Sequence, residues 1–365
     1  MDEIISYASY SALVALRATC KAYENRITPM IGEHVKVETG VVTAVDGRFP
    51  SWEHPNKIPY AVKEACAQYR RDYAAGLSRR PIDPDLALRI RMWDLDRMHK
   101  YIQHSKVVDI CGPVKLDFLR GLLMRTQSPT LRIKKSKFGQ RFSTHRMWDL
   151  LQHVNVDRIV SFESLGNDNS GGTWFRAARV VLNYSFVAER GIRRPHDVAL
   201  CIETLRELVI VFRPATKSRA GFASVHLYTL LNILQRVAEH LVDTLLVYGK
   251  PVKVTIVGFD SLPPRAILCP DIPSSREWGG DDAVWTTDKG RKEMERVARN
   301  EMAGFAHRAI IEEEGKKAFE PNLNEVVIKL ASGVEFLTLD EFRQTMSPEQ
   351  FKIETDEGHI YDYDG

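Results

Sequence analysis

Val107-Val108-Asp109-Ile110 opens the series of short runs that decides how this chain folds. After it come Thr130-Leu131-Arg132-Ile133, Arg158-Ile159-Val160-Ser161-Phe162, Arg179-Val180-Val181-Leu182, Leu208-Val209-Ile210-Val211-Phe212 and Val252-Lys253-Val254-Thr255-Ile256-Val257. Each run is rich in β-branched side chains, which suit a pleated, half-buried surface. Stretches with helical spacing lie between them, near Leu116 to Arg125, Thr144 to Val154, Asp197 to Leu205 and Ser224 to Tyr248. Strand, helix, strand predicts parallel pairing through right-handed crossovers, hence an α/β fold. The first five strands recur at roughly 20 to 30 residues, within the range of leucine-rich repeats. Two architectures fit: a degenerate leucine-rich-repeat-like solenoid, or an open, mostly parallel sheet. Uneven spacing and the lack of a clear Leu-x-x-Leu-x-Leu-x-x-Asn pattern count against the first, but the reading leans toward a solenoid-like array.

Downstream, Leu227, Leu230, Leu231, Leu234, Val237, Leu241, Leu245 and Leu246 form one stripe at helical spacing, ended by Gly249 and Pro251. Upstream, Val35-Lys36-Val37 and Val41 to Val45 alternate as strands before the Asp46-Gly47 turn. Helices are expected over about Tyr60 to Ala75 and Asp85 to His104. Beyond a proline- and glycine-rich linker comes a charged helix, about Asp288 to Glu313, and then a strand at Val326 to Lys329. Phe336 to Phe342 and Gln350 to Thr355 read as a final helix before an acidic tail. The expected division is 1–28 (N-terminal helices), 29–105 (connector), 106–262 (strand–helix domain), 263–290 (linker) and 291–365 (C-terminal helix, strand and tail).

Over 365 residues the chain is 44% hydrophobic and 27% charged, which is the composition of a folded globular protein. Its net charge of +3 is too mild to argue for nucleic acid by itself. Cys20, Cys66, Cys111, Cys201 and Cys269 are widely spaced, which predicts a reduced chain of the cytoplasm or nucleus. No basic-then-apolar leader opens the sequence, and no apolar run is long enough to span a membrane.

Catalytic patterns are missing: no P-loop, no dinucleotide fingerprint, no nucleophile elbow, no His-Glu-x-x-His. Asp94 and Asp96 are two apart, so on a helix they do not share a face. The reading therefore predicts no enzyme, no cofactor and no metal. Between Asp117 and Asp149 there is no acid, and this stretch carries Arg120, Arg125, Arg132, Lys134, Lys135, Lys137, Arg141 and Arg146. If Arg132, Lys134, Lys135, Lys137, Arg141 and Arg146 project from a strand end, they form a positive ridge for an acidic partner. The alternative is a solvated loop.

At the N-terminus a short helix is expected over Asp2 to Ala8. A second is expected from near Ser11 to about Ile27, with Pro29 as its stop. Leu13, Leu16, Cys20, Tyr23 and Ile27 share one face of the second helix, and Arg17, Lys21 and Glu24 stay off it. So small an element must pack on the rest of the chain or on a partner. Ile5-Ser6-Tyr7, Leu13, Leu16-Arg17 and Thr19-Cys20-Lys21 together resemble the second half of an F-box. The family's usual Leu-Pro opening is replaced here by Met1-Asp2-Glu3-Ile4-Ile5. The closing pattern of the chain is similar to that of fungal F-box-like proteins. The resemblance implies a non-enzymatic substrate receptor or scaffold of a cullin–RING (SCF-type) ubiquitin ligase. Ile4, Ile5, Leu13, Leu16, Cys20 and Tyr23 would dock a Skp-like adaptor, and the α/β array would hold a protein substrate. The alternative is a stand-alone protein- or RNA-binding module with a vestigial F-box, protein being the favoured ligand and nucleic acid the lesser one.

Overall fold

The computed structural model describes residues 10–38, 41–44, 64, 98–111, 116–127, 129–134, 156–162, 177–187, 191–193, 204–214, 227–228, 230–249, 251–261, 288–312 and 323–356. The chain divides into two compact units, residues 1–156 and 157–365.

The first unit opens with two helices, α1 (Tyr10–Arg17) and α2 (Lys21–Gly32). The sequence predicts one helix here, and the break has a local cause. Ala18 and Thr19 donate their backbone N–H groups to Ala15 and Leu16, and the Thr19 hydroxyl donates to the Leu16 carbonyl at 2.7 Å. These short-range bonds tighten and close the last turn of α1. Cys20 is extended and restarts the chain as α2. Pro29 lies inside α2 rather than stopping it. Its missing N–H forgoes one bond, and the helix still runs on to Gly32. Any side chain at Gly32 would run into the Tyr101 backbone carbonyl, so glycine is what lets the helical segment 98–102 pack there.

Four strands follow in this unit: β1 (His34–Glu38), β2 (Val41–Ala44), β3 (Val107–Ile110) and β4 (Thr130–Ile133). Their order is β2-β1-β3-β4. β2 runs antiparallel to β1, while β1, β3 and β4 are parallel. The register sets Val35, Val108 and Leu131 in one row and Val37, Ile110 and Ile133 in the next. All six are buried, so this face of the sheet is core. α3 (Leu116–Leu123) connects β3 to β4 and buries Phe118, Leu119, Leu122 and Leu123.

The second unit contains β5 (Val156–Ser161), β6 (Ala177–Val187), β7 (Gly191–Arg193), β8 (Glu207–Pro214), β9 (Leu227–Tyr228), α4 (Leu230–Tyr248), β10 (Lys253–Val257), α5 (Asp288–Glu312), α6 (Leu323–Ser332), β11 (Val334–Leu337), α7 (Leu339–Gln344) and α8 (Pro348–Thr355). The order is β5-β6-β8-β10-β11, with β6, β8, β10 and β11 parallel. β7 and β9 add a small antiparallel extension beside β6. In both units the fold is α/β, with an open and mostly parallel arrangement of strands; apart from β2, which pairs on the far side of β1, the strands of the main path follow chain order.

Three boundaries differ from the sequence reading. Leu227 and Tyr228 form β9, so the long helix starts at Leu230. Val326 to Lys329 is helical, within α6. Val327 and Ala331 are buried one turn apart, and Val327 joins Ala238, Val242, Ala306 and Ile310 in a cluster between α4, α5 and α6. That packing overrides the β-propensity of the Val326-Val327-Ile328 run. The edge strand comes later, at Val334–Leu337, and the single expected C-terminal helix is two, α7 and α8. The helices expected near Asp2, Tyr60 and Thr144 lie outside the described residues.

Both faces of the second sheet are covered. Val181, Val209, Val211 and Val257 share a cluster with Val160, Phe162 and Phe342, flanked by Leu337, Leu339, Met346 and Phe351. α7 and α8 therefore lie on that face. By the two-residue alternation of strands, Leu208, Ile210 and Phe212 point the other way, and they are buried too. The Arg299 guanidinium of α5 covers Phe336, which lies in one row with Ile256 and Ile210, so α5, with α4 and α6 packed on it, lies on this second face.

Candidate functional site: a buried charge cluster

The core face of the first sheet is apolar, and its opposite face is charged. Lys36, Asp109 and Arg132 occupy matching positions on β1, β3 and β4 and lie in one row. His34 and Lys134 fall on the same face by alternation. Asp109 is 1% exposed and Arg132 is fully buried. Lys134 Nζ lies 2.9 Å from Asp109 Oδ2, His34 Nε2 lies 3.2 Å from the same oxygen, and Arg132 Nη1 lies 3.6 Å from Oδ1. Three bases thus converge on one carboxylate.

Burial pushes the Asp109 carboxyl up. The His34 ring nitrogen and the Arg132 and Lys134 charges outweigh that and hold it below the usual carboxylate range. Asp109 is therefore ionised at neutral pH and serves as the negative centre of the cluster. A buried charge set of this kind is costly to desolvate and costlier to break. Its groups engage one another.

The sequence-predicted site residues fall into three groups. Arg132 and Lys134, expected on a positive ridge, instead turn inward onto Asp109. The reason is the parallel register, which sets the third residue of each short strand side by side. Lys135, Lys137, Arg141 and Arg146 lie outside the described residues, as do Ile4 and Ile5. Leu13, Leu16 and Tyr23 are half-buried and pack with Val14 on Ile27, Ile31, Ala44 and Tyr101. Cys20 is exposed with a free thiol, in an elbow where Ala18, Thr19 and Lys21 are exposed as well. Arg17, expected off the apolar face, is buried: its Nε donates to Thr28 Oγ1 at 3.0 Å, its Nη2 meets Glu24 at 2.9 Å, and its guanidinium covers the Tyr101 ring.

The second unit holds a comparable cluster that the sequence did not flag. Glu354, on α8, is fully buried. Arg179 of β6 grips it with two bonds, Nε to Oε1 at 3.1 Å and Nη2 to Oε2 at 2.8 Å. Arg158 of β5 lies 3.4 Å from Oε1, and Gln350 donates to the same oxygen at 2.8 Å. Asn183 Nδ2 donates to the Glu354 backbone carbonyl at 2.9 Å. Arg179 also pairs with Glu207, its neighbour in register on β8. Burial lowers the affinity of the Arg179 guanidinium for its proton, but Glu354 and Glu207 outweigh this and raise it. Nothing in the sequence distinguishes Glu354 from the acids around it.

Among the described residues, no group of three or more His, Cys, Asp or Glu side chains could hold a metal. Among the same residues no helix is long and apolar enough to cross a membrane. No family model, curated protein or solved structure matches the chain.

Proposed function

We propose that this chain is a non-enzymatic protein-binding scaffold whose α/β array holds the ligand and whose N-terminal helices form part of its own core. The carrying observation is that Leu13, Leu16 and Tyr23 spend their apolar surface on Ile27, Ile31, Ala44 and Tyr101. A stripe that seals its own domain is not free to dock an adaptor. The strand order adds support. From β1 through β3 to β4, and from β5 through β6, β8 and β10 to β11, successive strands step one way, as a leucine-rich-repeat-like array requires. A protein ligand is favoured over RNA because Arg132 and Lys134, two of the bases proposed for phosphate contact, are committed to Asp109.

The second reading is a substrate receptor of an SCF-type ligase. The exposed elbow, which carries the Thr19-Cys20-Lys21 part of the F-box resemblance, favours it. Co-expression with a Skp-like adaptor separates the two. The scaffold reading predicts that the adaptor does not co-purify, and that Leu16→Asp destabilises the first unit. Adaptor retention that Cys20→Asp abolishes, with melting unchanged, supports the receptor reading instead.

A further inference from the structure

We infer that α7 and α8 form a detachable strap, an internal occupant of the strand face that the binding array offers to a ligand. The inference rests on the scaffold reading above. α7 follows β11 directly through Thr338. Both helices carry their own N-terminal caps. The Thr338 side chain accepts from Glu341 N while Glu341 accepts from Thr338 N, and Ser347 accepts from Gln350 N ahead of Pro348. The first amides of each helix are thus satisfied from within the segment, not by the sheet. The strap's side of the interface is small: Phe342 is its one fully buried apolar side chain, with Leu339, Met346 and Phe351 half-buried beside it. Its polar anchor is the Glu354 carboxylate between Arg158 and Arg179.

Lifting the strap would uncover Val160, Phe162, Val181, Val209, Val211 and Val257, bordered by the two arginines. The chemistry that fits this face is the strap's own: a short helix with a phenylalanine followed three residues later by a glutamate, as Phe351 and Glu354 stand here. The ligand is thus a helix of another protein that presents an aromatic ring and a carboxylate one turn apart, and α7–α8 competes with it from within the chain.

Two measurements on the full chain test this. In hydrogen exchange, the amides of Leu339–Thr355 should exchange through a separate opening, about a hundredfold faster than those of β8. A labelled peptide of residues 338–356 should bind the Glu354→Gln chain about tenfold more tightly than the wild type, because the tethered competitor is weakened. The same peptide carrying Gln in place of Glu354 should lose that binding. If Glu354→Gln fails to fold, Phe351→Ala, which loosens the apolar side and keeps the ion pair, provides the same comparison. Exchange of α7–α8 together with β8 in one global step overturns the strap, as does a peptide that binds variant and wild type alike. Neither result depends on an adaptor or a foreign ligand, so the strap can fail while the scaffold reading stands.

Discussion

Asp109→Asn removes one negative charge from the centre of the buried cluster and almost no volume. Arg132 and Lys134 stay where the strand register puts them, without the carboxylate they converge on. Removing one partner from a buried charge pair typically costs about 3 to 5 kcal/mol. Asparagine keeps one acceptor oxygen toward Lys134, so the lower end applies, about 3 kcal/mol. For a unit of this size that is a fall in Tm of about 6 to 12 °C. Calorimetry at pH 7 reads the shift, and hydrogen exchange at Val107–Ile110 locates it in the first unit. The acid limb carries a sign. The folded Asp109 carboxyl sits below its unfolded value of about 3.9, so its stabilisation is present above about pH 4 and fades as pH falls through the folded value. The gap between wild type and Asp109→Asn should therefore narrow as pH falls below about pH 4. Replacing the set with apolar groups, Asp109→Leu with Arg132→Met and Lys134→Met, should be far milder than the single change. A loss under about 0.5 kcal/mol for Asp109→Asn, or a gap that closes already above pH 5, refutes the reasoning.

Other outcomes follow from single residues. Gly258 has φ +71°, and a Cβ there would sit 2.6 Å from the Phe212 carbonyl oxygen; Gly249 has φ +62° with open space around it. Gly249→Ala should cost about 1 kcal/mol and Gly258→Ala clearly more, both read by urea melts. Thr338→Ala deletes one half of the α7 capping box and should cost about 1 kcal/mol, with faster exchange confined to α7 and α8. Leu16→Asp places a charge against Ile27 and Tyr101 and should cost about 2 kcal/mol or more, seen as early melting of the first unit. A Leu16→Asp chain with wild-type melting would free that face for a partner.

The strands were legible because β-branched runs announce themselves. Val107–Ile110 and Thr130–Ile133 match the sequence reading residue for residue. The same signal misled at Val326 to Lys329, where packing of α6 on α4 and α5 decides the outcome. The Asp109 cluster was half visible: an acid third in one short strand and an arginine third in the next become neighbours once the strands pair in register. Read as composition alone, the same arginine looked like part of an exposed ridge. The Glu354 anchor was not legible, since its partners Arg158 and Arg179 lie about 175 to 200 positions earlier in the sequence and meet it only through the fold. The break between α1 and α2 depends on hydrogen bonds at Ala18 and Thr19 that spacing does not encode.

The most direct test is adaptor binding measured on purified components. The full chain and its Cys20→Asp variant are titrated with a Skp-like adaptor by calorimetry. Aspartate is itself a good residue at the start of α2, so the variant changes the exposed elbow without loosening the helix. The account predicts no heat of binding for either chain, because the apolar stripe of α1 and α2 already faces its own core. Saturable binding by the wild type that Cys20→Asp removes contradicts it and makes the chain an adaptor-docked receptor.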